Sequence, residues 1–235
     1  MNWWRLAVST LLLAGLSACA TESYRTIDTL PRGSQAPRIL MMPPNIELSE
    51  LTAGGSTELN AIWTRDAERH VTAAIRDHLK GIKATFIEYT PPADDTDAFE
   101  TLTQLQSLHG TVGKSILAFH FEPEMRLPSK KGKFDWSLGP AVTQLADHAS
   151  ADYALFTWVR DSYSSPGRIA LNIVSVLVTG VAVGGGTQSG LTSLVDLRTG
   201  QMVWFNALRP RSEGDLRDRD SAGRTTALLL DRMPQ

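Results

Sequence analysis

Arg38-Ile-Leu-Met-Met42 is a short apolar run closed by Pro43-Pro44, which predicts a buried first strand followed by a loop. From Trp63, the apolar residues Ala67, Val71, Ala74, Ile75, Leu79 and Ile82 recur at helical spacing, with charged residues between them. That is an amphipathic helix ending near Gly81. Ala84 to Tyr89 reads as a second strand, stopped by Pro91-Pro92 and an acidic loop at Asp94, Asp95 and Asp97. Phe99, Leu102, Leu105, Val112, Ile116 and Phe119 restore the spacing of three to four, predicting a second helix despite Gly110 and Gly113; a late strand at 115–121 competes with it. A short helix is expected over 138–149, entered by Gly139-Pro140. Residues 152–161 form the next strand, and because both of its faces are apolar it belongs in the middle of a sheet. Leu191 to Leu197 and Gln201 to Ala207 flank Arg198-Thr199-Gly200 and predict an antiparallel hairpin. Residues 215–232 carry the apolar stripe of a closing helix.

The resulting order is βαβ, an inserted helix, αβ, a β-hairpin and a last helix. It predicts a compact α/β sandwich with a mixed sheet, one domain over 38–235. One stretch departs from this pattern. Ile169 to Val183 runs fifteen residues without a charge, interrupted by Asn172, Ser175, Thr179 and Gly180, and is short for a membrane span. Two readings stand for the segment 168–186: a buried helix or strand pair completing the core, or a segment that packs on another copy or dips into a membrane. In the second reading Ile169, Leu171, Val174, Leu177, Gly180 and Val183 are the contact residues.

The amino end has its own pattern. Arg5 precedes an apolar run from Leu6 to Leu16, too short to span a bilayer, as in a signal peptide over 1–18. The run closes with Leu16-Ser17-Ala18 before Cys19, the chain's one cysteine, and this resembles the lipobox of bacterial lipoproteins. The resemblance implies cleavage before Cys19, a diacylglyceryl group on its sulfur, and acylation, typically by palmitate, of the new amino group. Several chains at about 0.8 kcal/mol per buried CH₂ make such an anchor effectively permanent. Ala20 at the following position, by resemblance to enteric lipoproteins, favours the outer membrane. Residues 19–37, with Pro31, Gly33 and Pro37 among polar neighbours, read as the lipidated cysteine and a flexible tether reaching about 50 Å if extended.

Composition narrows the classes of function. Charge is nearly balanced, 23 Lys and Arg against 25 Asp and Glu, so no electrostatic ground exists for a nucleic-acid partner. A single cysteine excludes a disulfide framework and any Cys-rich zinc site.

The strand ending Pro43-Pro44-Asn45, the strand Ala151-Asp152-Tyr153-Ala154-Leu155-Phe156 and the hairpin 193–204 together resemble periplasmic lipoproteins related to the periplasmic domain of the curli secretion channel. The same α/β sandwich resembles the amino-terminal domain of TolB, the Tol system's propeller protein. The likeness covers about residues 36–208 and implies a fold rather than a reaction. The stretches 97–120 and 168–186 are additions to the minimal pattern.

Candidate chemistry is sparse. His120, Glu122 and Glu124 would share one face of a strand and could ligate a metal there, although Pro123 disturbs the geometry and a solvated polar turn is the competing reading; no metal or cofactor is assigned. The run Gly184-Gly185-Gly186 lacks the GK[ST] of a phosphate loop and reads as a turn feeding the strand at Leu191. Lys130, Lys131 and Lys133 are candidates for contact with lipid or lipopolysaccharide phosphates.

The expectation is therefore a non-enzymatic lipoprotein, anchored in the outer membrane and facing the periplasm, acting as a protein-interaction or assembly module with envelope proteins as partners. A subunit of a homo-oligomeric curli-type export channel is the first alternative, and a metal-assisted hydrolase the second.

Overall fold

A computed structural model of the chain describes residues 21–31, 35–93, 96–208 and 214–235. Its elements in chain order are β1 (Thr21–Arg25), β2 (Arg38–Met41), β3 (Asn45–Leu51), β4 (Thr57–Leu59), α1 (Ala61–Leu79), β5 (Thr85–Glu88), α2 (Asp97–Ile116), α3 (Gln144–Ala149), β6 (Tyr153–Ser164), α4 (Pro166–Thr179), β7 (Gln188–Asp196), β8 (Met202–Leu208) and α5 (Arg219–Leu229). One mixed sheet has the order β1-β8-β7-β6-β2-β5, with β3 alongside the far half of β6 and β4 paired to β3. It is an α/β fold.

Period-two alternation divides the core between the two faces of the sheet. Ile39, Met41, Leu155, Val159, Leu194 and Trp204 pack with Val71 and Ile75 of α1 and Ala222 and Leu229 of α5. Leu40, Ala154, Phe156, Leu191, Val195 and Phe205 pack with Leu102, Leu105 and Ile116 of α2 and Leu145 of α3. As its apolar faces predict, β6 is central: it pairs antiparallel with β7 and parallel with both β2 and β3. The hairpin β7-β8 forms with Gly200 at φ 75° in its turn, a conformation glycine adopts without steric cost.

The helices start where side chains supply the missing acceptors. Asn60 Oδ1 accepts from Trp63 N at 3.1 Å, Thr96 Oγ1 from Phe99 N at 3.2 Å, Ser165 Oγ from Arg168 N at 3.1 Å, and Asp218 Oδ1 from Ser221 N at 2.9 Å. Residues 115–121 are helical, closing α2 with a π turn over Leu117–Phe121. The closing helix is shorter than its apolar stripe suggests, because Asp215 to Asp218 form a turn held by the Asp218 N–H donating to Asp215 O.

Three strands are absent from the sequence reading. β3 alternates buried Ile46 and Leu48 with exposed Glu47, immediately after Pro43-Pro44, where only a loop was expected. β4 is three exposed residues. β1 lies in the expected tether: Thr21–Arg25 pairs residue by residue with Leu208 back to Trp204. Its Thr-Glu-Ser-Tyr-Arg sequence carries no apolar alternation, and as an edge strand it needs only Tyr24 to pack, stacked on Phe134 at 4.3 Å.

Candidate membrane-docking face

The registers set Glu22, Ala207, Leu191, Trp158 and Asn45 in one row across β1, β8, β7, β6 and β3. β1 enters the sheet one residue beyond this row, at Thr21, on the side toward which β6 runs. β6 itself continues from Trp158 to Ser164 and passes into α4. The start of β1 and the base of α4 therefore stand at the same end of the sheet. Cys19 and the residues Leu16, Ser17 and Ala18 before it lie outside the described residues. Two residues of chain nevertheless limit Cys19 to about 7 Å from Thr21.

The excursion between β6 and β7 is a helical finger. Its neck is the last rung of the ladder, where the Ser162 N–H donates to Thr187 O at 3.0 Å and the Thr187 N–H donates to Ser162 Oγ at 2.9 Å. Gly186 passes so close to the Ser162 carbonyl that no side chain fits there. Pro166 and the Ser165 cap start α4, and Gly180 ends it at φ 74°, its N–H donating to Val176 O. The chain then returns along one stripe of the helix. Ser175 Oγ donates to Val181 O at 2.8 Å, Asn172 Oδ1 accepts from Val183 N at 3.0 Å, and the Arg168 guanidinium donates to Val183 O and, at 3.1 Å, to Gly184 O. The polar residues of α4 are thus spent on the returning chain.

The remaining surface of the finger is apolar. No residue of α4 is buried, and Ile169, Leu171, Ile173, Val174, Val176, Leu177, Val178, Val181 and Val183 are all exposed, Leu177 by 79% and Val178 by 77%. This excludes the reading of 168–186 as part of the core. A helix apolar on nearly every side is ordinarily enclosed by protein or lipid, and fully burying one such side chain is worth about 1.5–3 kcal/mol. Of the six contact residues expected from sequence, five present apolar side chains outward and Gly180 makes the turn at the tip. Sequence spacing missed the neighbouring Ile173, Val176, Val178 and Val181, and also Leu59 and Ile62, exposed apolar residues at β4 and the start of α1. Uniform hydropathy along 169–183 was the available signal. Among the described residues no helix is long and apolar enough to cross a membrane.

The lysine loop is elsewhere. It leads to Trp136, whose carbonyl accepts from Met202 N at the opposite end of β8 from Leu208, so it stands away from the finger. Lys130 is engaged locally: Nζ pairs with Asp135 at 2.8 Å and lies 4.3 Å over the Trp136 ring. Lys131 makes the left-handed turn at φ 49°, and Lys133 N donates to Lys130 O at 2.9 Å.

His120, Glu122 and Glu124 do not share a strand face. His120 belongs to the π turn with its ring edge-on to Tyr24 and Phe134, Glu122 ends that turn, and Glu124 lies in the following 3-10 turn. Burial and then the Arg126 charge hold the His120 imidazole below its usual range. Among the described residues no three His, Cys, Asp or Glu side chains converge as a metal site would require.

At the base of the finger, on the α1 side, Tyr163 Oη donates to Asp161 Oδ2 at 2.6 Å and accepts from Leu216 N at 2.7 Å, while Gln188 Nε2 donates to the same Asp161 oxygen at 2.7 Å. Arg217 lies over Tyr163 and Trp63, at 4.0 and 4.5 Å from the ring centroids, and forks onto Asp215. Burial raises the Asp161 carboxyl above its ordinary range despite these donors. The cluster braces the neck from which the finger leaves the body.

No family model matches the chain. No curated protein matches it. Among solved structures, a single-substitution variant of the PelC dodecamer from Paraburkholderia phytofirmans aligns at 13% identity and TM-score 0.42, over 92% of this chain and 98% of that one. A second crystal form of the PelC dodecamer from the same organism aligns at 12% identity and TM-score 0.41, over 90% and 96%. Likeness at that distance carries no statement about this chain's assembly, ligands or partners.

Proposed function

We propose that this chain is a non-enzymatic lipoprotein of the bacterial envelope, held in the outer membrane through Cys19 and facing the periplasm, whose α/β body serves as a protein-interaction or assembly module. One observation carries the reading. The chain joins the sheet at Thr21, two residues after Cys19, at the end from which the apolar finger emerges. An anchor there holds the body close against the bilayer with a defined end toward it, rather than on a long leash. The opposite end, with the Arg198-Thr199-Gly200 turn and the lysine loop, is then displayed to partners in the periplasm.

A second reading, a subunit of an oligomeric export channel, is favoured by the unpartnered apolar surface of α4, which copies could share. The full-length protein, expressed in a lipoprotein-processing bacterium and extracted in mild detergent, separates the two by size exclusion with light scattering. A monomer or dimer in the membrane fraction is the expected result. A discrete ring of many copies supports the channel, and reproducible turnover of an envelope substrate, lost on changing His120 or Glu122, contradicts a non-enzymatic role.

A further inference from the structure

We infer that the finger formed by α4 and the chain returning along it inserts into the lipid leaflet that holds the Cys19 anchor. This rests on the anchored reading above and assigns that end of the body its partner, a lipid surface. Three features favour lipid over protein.

The first is circumferential exposure. Val176, Ile173, Val174 and Leu171 project from successive sides around α4, and all are exposed. A second copy docking on one side would leave the others in water, whereas acyl chains surround whatever enters them.

The second is polar satisfaction. Entry into hydrocarbon is costly for any unpaired polar group. Asn172, Ser175 and Thr179 are each bonded within the finger, the last by Oγ1 donating to Ser175 O and accepting from Val181 N. Arg168 is the one charged residue from 162 to 195. It lies in the first turn of α4, at the base, with its guanidinium on the carbonyls of Val183 and Gly184. No acidic group follows it into the finger, and a cation at the base suits anionic headgroups.

The third is reach. Counted from the shared row, Cys19 is three residues along the chain and Ser165 seven along β6, so the base of α4 stands about 13 Å farther toward that end than an extended Cys19. The helix adds fourteen residues, about 21 Å. That length is short of the roughly 30 Å hydrocarbon core but exceeds half of it, so the helix fits a single leaflet only when tilted toward the interface.

The test uses the full-length lipidated protein in vesicles of phosphatidylethanolamine and phosphatidylglycerol. Acylation blocks Cys19, so Val178→Cys, Val174→Cys and Arg198→Cys each offer one thiol for an environment-sensitive nitrobenzoxadiazole label. Residue 178 should give blue-shifted emission, quenched by spin-labelled lipid and protected from iodide, with residue 174 behaving alike. The label at 198, at the far turn, should read as water. If the 178 and 174 labels are open to iodide while the protein floats with the vesicles, the insertion is overturned and the anchor stands. Protection from iodide without quenching by spin-labelled lipid, with crosslinks between copies, overturns it in favour of a second copy. Loss of flotation without Cys19→Ser being introduced overturns the anchor instead, and the same three labels placed in Cys19→Ser protein, read after adding vesicles, then decide the finger alone.

Discussion

Gly113 crosses Leu191 so closely that a Cβ on it would stand 2.6 Å from Leu191 Cδ2, and Gly110 meets the Trp158 ring in the same way at 2.8 Å. These glycines oppose helix formation in isolation, yet they let α2 lie directly on β6 and β7. Gly113→Ala should therefore destabilise the protein by about 1–3 kcal/mol through overpacking. Gly223→Ala, on α5 with no atom within 4 Å of the added carbon, should stabilise it by up to about 1 kcal/mol. Urea unfolding of the two variants checks both signs.

Removing one hydroxyl tests the brace at the neck. Tyr163→Phe leaves the Leu216 N–H without its acceptor and takes one donor from Asp161. A loss of about 1–3 kcal/mol is expected. Because the hydroxyl favours the ionised carboxylate, the Asp161 pKa, already raised by burial, should rise further. Carboxyl NMR titration measures it directly.

His109 is fully enclosed beside the Phe156 ring at 5.2 Å, and burial pushes its pKa down to about 3. The folded state holds it neutral while the unfolded chain protonates it near 6.5, so between those values the unfolded state binds more protons. Stability from this group is complete above pH 6.5 and is lost as pH falls toward 3, with a slope approaching about 1.4 kcal/mol per unit. Asp161, raised rather than lowered, works in the opposite direction above pH 3.8. Comparing wild type with His109→Gln at pH 7 and pH 5 isolates the histidine: the difference in unfolding free energy between the two pH values should shrink in the variant.

The edge strand supplies another expectation. Tyr24 stacks on Phe134 and receives His120 edge-on, tying β1 to the loop on the α2 face. Tyr24→Ala should lower stability by about 1–3 kcal/mol and raise amide exchange at 21–25 before the rest of the sheet. Equal exchange in both proteins would mean that the ladder to β8 holds β1 unaided.

Much of the fold was legible because burial writes a period. The two-sided strand at β6, the helix at α1 and the hairpin around Gly200 all carry their periods in full. β1 and β4 carry none, because their backbones are paired at edges where polar side chains face water. β3 carries one, in Ile46 and Leu48, but it follows two prolines and lies against a β6 longer than its apolar run. The candidate face was half legible. Lack of charge marked 168–186 as unusual, but spacing does not distinguish a buried helix from an exposed apolar one. Only the return of the chain onto Asn172 and Ser175 does so. The three lysines stand together as a cluster in the sequence, but the pairing of Lys130 with Asp135 is not legible there.

The account stands on Cys19 as the point of attachment, and the intact mass of the protein purified from membranes tests that directly. A chain beginning at Cys19 and carrying a diacylglyceryl and an amide-linked acyl group is the predicted result, with Cys19→Ser protein no longer acylated or retained after carbonate washing. A mature protein that begins elsewhere, or that has an unmodified Cys19 and leaves the membrane in carbonate, would contradict it.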